Sequence, residues 1–126
     1  MAATVVCAVL GLAALGGRWA QPSRPGASLE VAATAYCVKG TTRSGTKARR
    51  GIVAADPRVL PLGSVVRVEG LPPRLNGIYT VTDTGRAIKG REIDIFMPDC
   101  ATAERFGRQS AEVQVLRRGR NKTSRN

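Results

Sequence analysis

Six short β-prone segments, none longer than eight residues, recur between turn signals along the middle of this chain. They are Glu30 to Cys37, Ile52 to Ala55, Ser64 to Glu69, Gly77 to Asp83, Glu92 to Phe96 and Ala111 to Leu116. Asp56-Pro57, Pro61-Leu62-Gly63 and Leu71-Pro72-Pro73 interrupt the pattern, because proline removes a ladder donor and fixes its own φ. Val65 to Glu69 and Ile78 to Thr82 partly alternate apolar with polar residues, the period of a half-buried strand. One stretch reads as a helix, from Asp99 as cap to Phe106, with Gly107 as its stop. Aromatic residues make up 4% of the chain, so Val, Ile, Leu and Ala must build the core. Short strands with exposed edges are unstable in a small domain, and closing the sheet removes the edges. The expected fold is therefore all-β, a six-stranded closed barrel with one short helix.

The 126 residues divide by composition. Residues 1–20 are an apolar run of signal-peptide length ending in small residues, which points to export. The run lacks an N-terminal Lys or Arg and has no Leu-x-x-Cys lipobox, and an uncleaved N-terminal anchor is the rival reading. Residues 21–28 have linker composition, residues 29–116 form the domain, and residues 117–126 are a basic tail. With Cys7 in the leader, Cys37 and Cys100 remain as an even pair. In an exported chain that pair suggests a disulfide, with two unlinked buried thiols as the alternative. No Cys or His cluster provides a zinc site, and no cofactor is called for.

The net charge of +11 thickens at Lys39, Arg43, Lys47, Arg49 and Arg50 and again at Arg117, Arg118, Arg120, Lys122 and Arg125. Such a surface implies an anionic partner. Charge is the sole argument for nucleic acid, and the scarcity of aromatics and the lack of a recognition motif speak against it. For an exported protein the corresponding polyanion is the cell envelope; the bland reading is a solubilising surface with a frayed tail.

There is no histidine in the sequence. A general acid or base working near neutral pH is then most easily a carboxylate whose pKa is raised by burial or a neighbouring charge. Asp56, Asp83 and Asp94 are the candidates. Asp56 precedes Pro57 and equally suits an Asx-type turn. Asp83 ends a strand before a glycine turn, and Asp94 interrupts the apolar run Ile93 to Phe96. If Ile93 and Ile95 face the core, Asp94 faces away from it, and an ordinary solvent-facing aspartate is the alternative. Two adjacent carboxylates, one protonated and one ionised, meet the requirement for cleaving a glycosidic bond. Arg86, Lys89 and Arg91 lie in the intervening turn, where they either bind an anionic sugar substituent or are simply solvated.

Several linked motifs occur in a fixed order: Ala35-Tyr36-Cys37, Thr41 to Gly45, Gly51 to Pro57, Leu60 to Ser64, Asp83 to Gly90, Ile93 to Met97 and Phe106-Gly107. Together they resemble the 3D domain family, named for three aspartates. That family includes the C-terminal part of MltA-type lytic transglycosylases and stationary-phase survival and resuscitation-factor-like muralytic proteins. The resemblance implies a double-psi β-barrel in which Asp56, Asp83 and Asp94 are the three aspartates. It also implies a monomeric lytic transglycosylase acting on peptidoglycan glycan strands, with Asp94 as acid and base and Asp83 and Asp56 tuning it. Thr42, Ser44, Gly45, Thr84, Gly85 and Lys89 are the implied substrate-binding residues. Two positions depart from the family pattern: Arg86 replaces the second glycine of Asp-Thr-Gly-Gly, and Arg43 replaces alanine in Thr-Ala-Ser-Gly. The alternative function is a non-catalytic barrel that binds peptidoglycan or another wall polysaccharide. Asp83-Thr84-Gly85 also occurs in small dimeric aspartic proteases, a weak motif that leaves Asp94 without a role.

Overall fold

The computed structural model describes residues 24–85 and 87–120. The leader, the first residues of the linker, Arg86 and the tail from residue 121 lie outside them. Six strands form a closed barrel: β1 (Ser28–Tyr36), β2 (Ile52–Ala55), β3 (Val65–Glu69), β4 (Gly77–Asp83), β5 (Glu92–Phe96) and β6 (Gln109–Arg117), in the spatial order β1-β5-β2-β4-β3-β6. The helix α1 (Cys100–Phe106) follows β5. Two pairs are parallel, β1 with β5 and β2 with β4, and the antiparallel contact of β2 with β5 joins them. This interleaving of the two halves of the chain is the double-psi arrangement.

Alternation decides what enters the barrel. Val31 and Ala33, Val53 and Ala55, Val66 and Val68, Tyr79 and Val81, Ile93 and Ile95, and Ala111, Val113 and Val115 all point inward and are buried. They pair every strand's apolar face with the others across one interior. The Tyr79 hydroxyl donates to the Leu75 carbonyl at 2.7 Å, in a 3-10 turn at Pro73–Leu75. In the sequence that stretch reads only as a break.

Ile52, Ala54 and Phe96 alternate with interior residues and stand outside the interior cluster, yet they too are buried. The loop between β1 and β2 crosses back over the sheet on that side. Its Ser44 amide donates to the Thr82 carbonyl at 2.9 Å, its Arg43 amide donates to Asp83 Oδ1 at 2.9 Å, and the Gly51 carbonyl accepts from Thr80. One outer flank of the barrel is thereby a second, partly covered surface.

The ends of the domain are tied down. Cys37 and Cys100 form a disulfide that fastens the end of β1 to the first turn of α1. Asp99 caps that helix, accepting from the Ala101 amide at 3.3 Å and from the Thr102 hydroxyl at 2.6 Å. Gly26 already pairs with Val115. The basic stretch that begins at Arg117 starts inside β6, and the Gly119 amide donates to Ser64 Oγ at 3.0 Å. A Cβ on Gly119 would collide with the Leu62 carbonyl and the Ser64 amide, so only glycine allows this approach.

Candidate active site

Strand register places two of the three candidate carboxylates, Asp94 and Asp83, in one row across the outer flank. On β5, Asp94 lies beside Thr34 of β1 on one side and Ala54 of β2 on the other; Ala54 in turn lies beside Asp83 of β4. A β-bulge between Val53 and Ala54 sets this last pairing. Two strand spacings separate the Asp94 and Asp83 backbones by about 10 Å. The side chain between them is a methyl group, and the open space above Ala54 is a groove of about 230 Å³. Tyr36, Lys39, Thr42, Thr84, Gly85 and Ile88 also line it.

Asp94 is half-buried, and loss of water pushes its carboxyl above the ordinary value. The Thr34 hydroxyl, donating to Asp94 Oδ1 at 2.8 Å, partly opposes that shift, and the charge of Glu92 adds to it. Asp83 is held differently. Its Oδ1 accepts from the amides of Arg43 and Thr84, both at 2.9 Å, so its orientation is fixed by the backbone on either side. The two carboxyls therefore share a groove but not an environment.

Asp56 sits elsewhere. Its side chain is buried and takes four hydrogen bonds, from Arg58 N, Nε and Nη2 and from Gly90 N, at 2.8–3.1 Å. The Arg58 guanidinium, ahead of the two backbone amides, holds its carboxyl well below the ordinary range despite burial. Gly90 has φ +68°, which brings its amide onto Asp56 and bends the turn that leads from Asp83 to β5. Asp56 lines no part of the groove; it braces the turn that forms the groove wall.

The remaining predicted residues divide likewise. Thr42, Thr84 and Gly85 line the groove, whereas Ser44 and Gly45 do not. The hydroxyls of Thr42, Ser44 and Thr46 bond among themselves at 3.1–3.2 Å, so they shape the loop. Lys89 is exposed and lies off the groove, its amide donating to Glu92. Among the described residues, the cation that does reach the groove is Lys39. Lys39, Arg43, Lys47, Arg49 and Arg50 are exposed, and none joins the two ion pairs found among the described residues, Arg58–Asp56 and Arg108–Glu92. The loop between β1 and β2 thus carries five exposed cations, and Lys39 brings one of them to the groove. Sequence reasoning did not assign Thr34, Tyr36, Ala54 or Ile88 to the site. Period-two alternation places Thr34 and Tyr36 on one face, but the register of two parallel strands about 60 residues apart has no local signal. A larger depression beside α1, about 520 Å³, contains one acid, Asp99, which is committed to capping the helix.

Fold and site together define a small double-psi barrel with an acidic groove on its outer flank. A sequence model of the 3D domain matches residues 51–117, and the chain belongs to the 3D domain family. The cell wall-binding protein YocH of Bacillus subtilis is 40% identical over 97 residues, 70% of this chain and 32% of YocH. YabE of the same species is 36% identical over 100 residues, 72% of this chain and 23% of YabE. The chain thus spans less than a third of either relative. Among solved structures, the E. coli lytic transglycosylase MltA superposes with a TM-score of 0.52 at 21% identity, over 65% of this chain and 28% of MltA. That likeness is one of fold.

Proposed function

We propose that this chain is a peptidoglycan-active lytic transglycosylase that cleaves the β-1,4 bond between N-acetylmuramic acid and N-acetylglucosamine. The observation that carries the reading is the pairing of Asp94 and Asp83 across Ala54 in one groove, with burial favouring the neutral form of Asp94. A protonated Asp94 donates its proton to the glycosidic oxygen as the bond to C1 breaks. The muramyl C6 hydroxyl then attacks C1, and its proton returns to Asp94, so no water is consumed and a 1,6-anhydro end forms. Asp83, fixed by two amides, faces the positive charge that develops at C1. Asp56 acts through the turn that it braces. The net charge of +11 and the exposed cations of the loop after β1 favour an anionic wall, and the disulfide suits an oxidising compartment outside the cytoplasm.

A second reading is favoured by one specific observation: the relative YocH is named for binding the cell wall. In that reading the groove holds a glycan strand without cutting it. Mass spectrometry of soluble fragments released from purified peptidoglycan, with an Asp94→Ala control, separates the two. Anhydromuramyl ends that vanish in the control are the expected result. Hydrolysed reducing ends would replace the mechanism, and absence of release with retained binding would replace the enzyme by a binding barrel.

A further inference from the structure

Tyr36 has a hydroxyl with no role in the fold. Its oxygen is buried and has no hydrogen-bond partner among the described residues, although the side chain lines the groove with Asp83 and Asp94. The rest of the residue is firmly placed. Its ring meets Phe96 edge-on, with centroids 5.4 Å apart and planes at 66°; its carbonyl accepts from the Met97 amide at 2.8 Å; and the next residue is bridged to Cys100. A phenylalanine would make the same ring contact. Buried hydroxyls without a partner are disfavoured, so one that persists on a rigid strand inside a groove calls for an acceptor from outside the protein.

We infer that the Tyr36 hydroxyl is a substrate-recognition group, donating a hydrogen bond to an uncharged oxygen of the glycan seated between Asp83 and Asp94. The inference rests on the glycan-active reading above and deepens it by naming the atom class recognised. Burial first, and then the negative charges of Asp83 and Asp94, push the phenol up to about 12, so it keeps its proton and acts as a donor. The Asp83 carboxylate in the same groove disfavours an anionic acceptor beside it, including the lactyl carboxylate of a muramic acid. What remains is a neutral sugar oxygen: a hydroxyl, a glycosidic oxygen or an acetamido carbonyl.

Tyr36→Phe tests this in the whole chain, with a soluble tetrasaccharide of alternating N-acetylglucosamine and N-acetylmuramic acid as probe. The expected thermal midpoint is equal to or above that of the wild type, because an unpartnered hydroxyl has been removed. Calorimetric affinity for the tetrasaccharide is expected to fall about tenfold, and the initial rate of fragment release by about tenfold or more. Unchanged affinity and rate would overturn the inference, as would a lowered midpoint with proportionate loss of activity, which marks a structural hydroxyl. A wild-type protein that binds the probe but releases nothing would end the transglycosylase reading, and the affinity ratio would still decide the role of Tyr36. A wild type that does not bind the probe would overturn both.

Discussion

Replacing Asp56 by asparagine should destabilise the domain while leaving both groove carboxylates in place. Of the four hydrogen bonds to this buried carboxylate, two come from the Arg58 side chain, which is 75% exposed and regains water when released. Those two are left out of the sum. The backbone amides of Arg58 and Gly90 are the donors that matter. An asparagine Oδ1 still serves Arg58 N, but its NH₂ then faces the Gly90 amide, donor to donor. Losing one charge-assisted bond in a buried place costs about 2 kcal/mol. For a domain of this size that lowers the melting midpoint by roughly 10 °C. The effect has a pH signature. The folded pKa of Asp56 lies below the ordinary value of 3.8, so the stabilisation is fully present above that value and is lost as pH falls towards the folded pKa. Urea unfolding of both proteins at pH 7 and at pH 3 measures the gap. It should be about 2 kcal/mol at pH 7 and narrower at pH 3. A gap below about 1 kcal/mol at pH 7, or one that does not change with pH, would refute the assignment of Asp56 as a charged brace.

Asp94→Asn should act with the opposite sign: release of anhydromuramyl fragments disappears, and the melting midpoint at pH 7 rises. The folded state disfavours the charged form of Asp94, a penalty that grows as pH climbs through and above the ordinary value of 3.8, so the gain should vanish in acid. Ala54→Leu should fill the groove between the two aspartates, abolishing sedimentation with peptidoglycan at an overpacking cost of about 1–3 kcal/mol, with the strand signature kept in far-ultraviolet circular dichroism. Replacing both Cys37 and Cys100 by serine opens a link across 63 positions and should cost about 4 kcal/mol in denaturant unfolding.

Much of the fold was legible because its signals are local. Ile52–Ala55, Gly77–Asp83 and Glu92–Phe96 are strands at the bounds that β-prone composition and flanking breakers indicate. The ends of β1 and β6 run further than their apolar cores, because Ser28 and Arg117 extend ladders whose hydrogen bonds need no particular side chain. Asp99 and Gly107 bound the helix as cap and stop. The absence of histidine, a fact of composition, directed attention to the aspartates.

Which aspartate does what was a different matter. The family resemblance implies Asp94 as acid and base with Asp83 and Asp56 tuning it, while the structure puts Asp94 and Asp83 in one groove and Asp56 behind its wall. Lys89 and Lys39 are equally plausible cations in the sequence, and only the path of the loop after β1 brings the second to the groove. Thr34 reaches Asp94 across 60 positions, and Asp83 stands beside Ala54 through a bulge. Strand positions follow from side chains within a few residues of one another. The site follows from long-range pairings, two parallel and one antiparallel, that loop closure and interior packing select over the whole chain, and those terms appear only once the barrel has closed.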